Sequence, residues 1–166
     1  MLILISPTSL SAKADEIELE YKIKAAFLIN FMLYVESKEK ENKVKNLCLY
    51  RRNTFGEFIH QILAEKSKKF KNLNISIRYI SPSKHIDNCH SVFISAVDMQ
   101  YINLEELPKG ILTIGETPDF LPSGGMINLF LKEDRVFFEI NIDAINESGP
   151  KLSSQLLKLA RPSRRW

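Results

Sequence analysis

Eleven consecutive residues, Ala25–Val35 (AAFLINFMLYV), carry no charge and a single amide, Asn30. A helix that crosses a bilayer needs about twenty apolar residues, so this run predicts a helix buried in a protein core. Ile23, Phe27 and Phe31 recur at i, i+4 and i+8, the stripe of an amphipathic helix. Glu18, Glu20, Lys22 and Lys24 form its polar first portion, acids before bases, as the helix dipole favours. Asn30 inside the run needs partners for its amide. It is read first as a satisfied core amide and second as a ligand contact.

The rest of the chain supplies something to bury that helix against. Leu47–Tyr50 predicts a short strand, Thr54 the cap of a helix running through Lys66, and Asn74–Ile80 a strand ended by Pro82. Ser91–Ser95 predicts a buried strand, Val97–Leu107 a helix, Ile111–Ile114 a strand and Gly115–Gly125 a loop. Met126–Leu131 and Arg135–Asn141 alternate with period two about the polar turn Lys132-Glu133-Asp134. That pattern predicts an antiparallel hairpin with Ile127, Leu129, Val136 and Phe138 as its buried residues. Gly124-Gly125 sits at the hairpin's entry, opens no helix and is followed by no Lys-Ser or Lys-Thr, so it is read as backbone geometry and not as a phosphate cradle. Asp143–Glu147 and Lys151–Leu159 close the chain as short helices. Strands alternating with helices predict an α/β fold: a single domain with a mixed, mostly parallel sheet flanked by helices and a late antiparallel hairpin.

At 166 residues and 45% hydrophobic, the chain can bury a core without help from metals. A net charge of +3 is too weakly basic for a nucleic-acid partner. Residues 1–14, MLILISPTSLSAKA, are apolar and then small, and Ala12-Lys13-Ala14 fits a signal-peptidase site. The domain is therefore expected over residues 15–166. Cys48 and Cys89 are small buried hydrophobes if the chain stays in the cytosol, and a plausible disulfide if it is exported. Each lies in or just before a predicted strand of one sheet. Closing the loop between positions 48 and 89 would add on the order of 4 kcal/mol in the chain-entropy model. The leader-like segment and the cysteine pair together favour the periplasm.

Chemistry is sparse. His60, His85 and His90 follow no metal-ligand spacing, and no G-x-S-x-G elbow is present. Ser153-Ser154 begins a helix, where hydroxyls more often cap than attack. Glu139 and Asp143 read as a solvated strand edge. No catalytic residue, metal or cofactor is predicted. In the C-terminal Arg161–Trp166, Pro162 cannot continue a helix, so the segment is expected to leave the fold. Arg161 and Trp166 are candidates for contact with a partner or with an anionic membrane surface.

Five segments in order carry a resemblance: EYKIKAAFLINFMLYVE, LCLYRRNTFGEFI, CHSVFIS, ILTIGETPDFLPSGGMINLFL and VFFEINIDAINESGPKLSSQLLKLA. Together they resemble the YfiR family of small periplasmic proteins over nearly the whole mature chain. The resemblance implies a single exported α/β domain that binds the periplasmic part of an inner-membrane diguanylate cyclase and restrains it. A second copy of the chain and a weakly held small molecule are further candidate partners. It also implies that Cys48 and Cys89 occupy the family's paired positions, with redox state modulating repression. The family's second cysteine pair is missing. The family often has glycine where this chain has Arg51, and a residue with a Cβ is expected not to take up the left-handed turn that glycine allows. Asn30, Arg51, Asn128, Glu139, Arg161 and Trp166 are the candidate ligand- or partner-contacting residues. The first expectation is a non-catalytic regulator. The alternative is a small-ligand sensor or carrier with its pocket at the strand carboxyl ends. An enzyme is disfavoured because no nucleophile–base constellation is found.

Overall fold

A computed structural model describes residues 8–36, 44–71, 73–81, 86–159 and 161–162. Helix α1 (Thr8–Tyr34) is followed by β1 (Lys45–Tyr50), α2 (Phe58–Lys69), β2 (Ile75–Ile80), β3 (Ser91–Phe93) and β4 (Leu112–Gly115). The hairpin strands β5 (Ile127–Lys132) and β6 (Arg135–Ile140) come next, then α3 (Ile142–Ser148), α4 (Ser154–Leu159) and a two-residue strand β7 (Arg161–Pro162). One sheet has the order β2-β1-β3-β4-β5-β6-β7. Every neighbouring pair is parallel except β5 with β6. The predicted fold class is the observed one.

Strand alternation divides the core into two layers. Leu47, Leu49, Phe93, Leu112, Ile114, Ile127, Leu129 and Phe138 share one cluster with residues of all four helices, including Leu28, Ile59, Ile145 and Leu156. Phe138 packs edge-on against Phe27 and Phe31 of α1, so the stripe read from the sequence meets the hairpin directly. Cys48, Tyr50, Val92, Ile94, Phe120 and Leu121 form the second cluster, on the opposite face. Ile86, Met99, Ile102, Leu104 and Leu107 cover that face from short irregular turns.

Those turns correct one expectation. Val97–Leu107 is not a helix but two 3-10 turns, Met99–Tyr101 and Leu104–Glu106. Asp98 is drawn fully inside the fold, and the Asn103 side chain accepts from Glu105 N–H, which starts a new turn where a helix would continue. A second correction concerns Thr54, which does not cap α2. Phe55 is buried against Tyr21 and Phe93, so the chain must turn through Gly56 (φ 53°) before the helix can begin at Phe58.

The hairpin closes through Glu133 (φ 50°) and Asp134 (φ 57°), a two-residue loop whose left-handed pair matches strand twist. Gly124 takes φ 91°. Gly125 serves close approach instead: a Cβ there would lie 2.2 Å from the buried Phe120 ring. Ile127, Leu129, Val136 and Phe138 are all buried. The entry to the hairpin is thus shaped by one aromatic side chain, with no anion cradle.

The C-terminal expectation is also corrected. The helix does end before Pro162, but Arg161 and Pro162 stay with the fold, pairing in parallel with Glu139 and Ile140. They form the edge strand of the sheet, where proline is tolerated. Residues 163–166, with Trp166, lie outside the described residues, as does His85.

Candidate functional site

Lys24 lies on the α1 face that also carries Tyr21, Ala25 and Leu28, so the helix turns its ammonium inward. Its Nζ donates to Glu116 Oε2 at 2.7 Å and to Glu20 Oε1 at 2.6 Å, and the Lys24 and Glu116 side chains are only 6% and 3% exposed. Glu116 follows β4 directly, and its other oxygen accepts from Ala96 N–H at 3.0 Å. One buried carboxylate therefore ties α1 to the segments that leave β3 and β4. Burial opposes the charge on Lys24, but its hydrogen bonds to Glu116 and Glu20 outweigh that and hold its pKa above the ordinary lysine value. Burial and the Glu116 charge push the Tyr21 hydroxyl up as well.

Beside this cluster opens a cleft of about 610 Å³ lined by Lys24, Glu116, Leu121, Asn128, Phe130 and Glu139 among others. Strand register explains the polar side. Gly115, Asn128, Glu139 and Arg161 stand in one row across β4, β5, β6 and β7. Three residues singled out from the sequence, Asn128, Glu139 and Arg161, thus fall in register. Asn128 is 6% exposed, and its Oδ1 has no hydrogen-bond partner among the described residues. A buried amide oxygen left unpaired costs about 1–3 kcal/mol. Glu139 is half-buried in the sheet between β5 and β7, not on a solvated edge, and Asp143 belongs to α3.

The remaining candidates lie apart. Asn30 is a satisfied amide, its Oδ1 accepting from Lys66 of α2. Arg51 departs from expectation: it takes φ 64°, the left-handed turn thought to require glycine. Its Nε donates to Asp98 Oδ1 at 3.0 Å, and its guanidinium lies 4.2 Å from the Tyr101 ring centroid. Two contacts hold the side chain, and they offset the backbone strain. Cys48 and Cys89 form a disulfide on the second face of the sheet, with Cα atoms 5.8 Å apart. Beside it, Asn46 N–H donates to His90 Nδ1 at 3.0 Å and His90 N–H to Asn46 O at 2.9 Å, clamping the two cysteine-bearing segments.

A family model described as YfiR/HmsC-like matches residues 21–161. The chain belongs to the YfiR/HmsC-like family. No curated protein matches it closely enough to add a named relative. The matched span of this YfiR/HmsC-like chain contains both cysteines, the Lys24–Glu116 pair and the Gly115–Arg161 row. Among the described residues no helix is long and apolar enough to cross a membrane, and no group of three or more His, Cys, Asp or Glu could hold a metal ion.

Sequence reasoning missed Lys24, Glu116 and Asp98. Lys24 reads as part of a polar helix start, although its spacing from Tyr21 and Leu28 places it on the buried face. Glu116 had a signal too: a charge directly after a buried strand's carboxyl end. Asp98 had none, because its burial depends on the turns that replace the expected helix.

Proposed function

We propose that this chain is a non-catalytic periplasmic regulator that binds the periplasmic part of an inner-membrane signalling protein, a diguanylate cyclase in the first instance, and holds it inactive. The match to the YfiR/HmsC-like family over residues 21–161 carries this reading. The Cys48–Cys89 disulfide supports it, since such bonds persist in oxidising compartments. The leader-like residues 1–14 agree. The test is capture from solubilised inner membranes by the oxidised chain, together with cyclic di-GMP levels in cells lacking it. Recovery of a cyclase and a rise in cyclic di-GMP are expected. Capture of no membrane signalling protein, with unchanged cyclic di-GMP, would overturn the reading.

One observation favours a second reading, a small-ligand sensor. Asn128, whose buried Oδ1 is unpaired, lines a cleft with apolar walls and the carboxylate of Glu139, the environment of a site for a small donor-bearing molecule. A thermal-shift screen of amino acids and nucleotides tests it: a ligand that raises the melting temperature of the wild type but not of Asn128→Leu is expected.

A further inference from the structure

The chain leaves β1 for β2 on one side of the sheet and then builds β3, β4 and β5 on the other. The order reverses between β1 and β3, and in open α/β sheets the crevice outside the carboxyl ends at such a point is where ligands bind. Two arginines stand there. Arg51 and Arg52 follow β1, and Asp98 follows β3. Arg51 Nε lies 3.0 Å and Arg52 Nε 3.5 Å from the same oxygen, Asp98 Oδ1, while the Ser95 hydroxyl donates to Oδ2 at 2.8 Å.

Asp98 is fully buried and needs one cation to balance it. It has two. Each guanidinium carries about five N–H donors, against about four acceptor positions on a carboxylate, one of them used by Ser95. The excess of charge and of donors lies with Arg52, whose side chain is 61% exposed, whereas Arg51 is stacked on Tyr101. Arg51 is held in the left-handed region, and strain of this kind collects at functional sites.

We propose that Arg51 and Arg52, at the switch point between β1 and β3, form a binding site for the oxyanion of a small molecule, a phosphate or a carboxylate. Asp98 anchors both guanidiniums and Arg52 makes the main contact. The site is separate from the Asn128 cleft and stands whether or not the chain restrains a membrane partner.

The test is an NMR titration of the full oxidised chain with sodium phosphate and, in a second arm, sodium acetate, at ionic strength held constant with chloride. Saturable amide shifts at Arg51–Asn53 and Ala96–Asp98 are expected in at least one arm, and the arm that saturates names the anion. Arg52→Gln should weaken that binding at least tenfold while leaving the Arg51–Asp98 pair and the melting curve intact. Lys132→Gln, in the distant hairpin, should not change it. Shifts that never saturate in either arm, or equal affinity in Arg52→Gln, would overturn the proposal.

Discussion

Lys24 Nζ lies 2.7 Å from Glu116 Oε2, inside the protein, and so joins the long helix to the carboxyl end of the central strand β4. Removing one member of such a pair leaves an uncompensated buried charge, which costs about 3–5 kcal/mol. Lys24→Met should therefore lower the urea-unfolding free energy by roughly 3 kcal/mol or more. Lys24→Met combined with Glu116→Gln removes both charges yet keeps an acceptor for Ala96 N–H, and should recover at least about 1 kcal/mol of that loss. The pH dependence follows from the raised pKa of Lys24. Its contribution is fully present below the unfolded value of 10.5 and is lost as pH rises through the folded one. In alkaline unfolding curves Lys24→Met should lack the Lys24 share of that loss and keep the share due to the raised Tyr21 hydroxyl.

Arg51 separates backbone strain from side-chain pairing. Arg51→Ala and Arg51→Gly both remove the Asp98 contact, so both should be less stable than the wild type. At φ 64° only glycine escapes the steric cost of a Cβ. Arg51→Gly should accordingly be more stable than Arg51→Ala by about 1 kcal/mol in denaturant melts. Equal stability of the two would show that the left-handed conformation relaxes once the arginine is gone.

His90 gives the opposite pH sign to Lys24. Burial, and then the nearby Lys45 charge, hold its pKa below the ordinary 6.5. Its Nδ1 accepts from Asn46 N–H, which a protonated ring cannot do. The folded state thus binds fewer protons, so stability is full above 6.5 and is lost as pH falls through the lower folded value. The melting temperature should decline as pH falls below 6.5 in the wild type, and decline less in His90→Gln. An NMR titration of the His90 ring should return a midpoint below 6.5.

The fold was largely legible because its signals are periodic. Leu47–Leu49, Ile127–Leu129 and Val136–Phe138 alternate, and Ile23, Phe27 and Phe31 hold one helical stripe, so strands, hairpin and core helix follow from local pattern. What failed was non-local. The turn before α2 exists because Phe55 reaches Tyr21 and Phe93, and the turns after β3 exist because Asp98 is pulled to Arg51 and Ser95. Tyr21 and Phe93 lie far from Phe55 in sequence, and Arg51 lies far from Asp98. The candidate cleft was legible in part for the same reason: its lining residues Asn128 and Glu139 lie on one hairpin, while Lys24 and Glu116 meet across 92 residues.

Asn128 is where stability and function should part. Its Oδ1 is buried and unpaired, so the amide is a poor choice for the fold alone. Leucine keeps the branched shape and carries no polar atom, and with the neighbouring cleft to take its extra bulk Asn128→Leu should be neutral or raise the unfolding free energy by about 1 kcal/mol. A residue that weakens the fold is expected where it serves binding. If the cleft holds a ligand or a partner side chain, the same variant should lose that association while melting at or above the wild-type temperature. Glu139→Gln, which keeps the shape of its register neighbour, should weaken binding of a cationic group and leave that of a neutral one. Should Asn128→Leu bind every partner and ligand as the wild type does, the cleft is only a packing defect between the hairpin and α1.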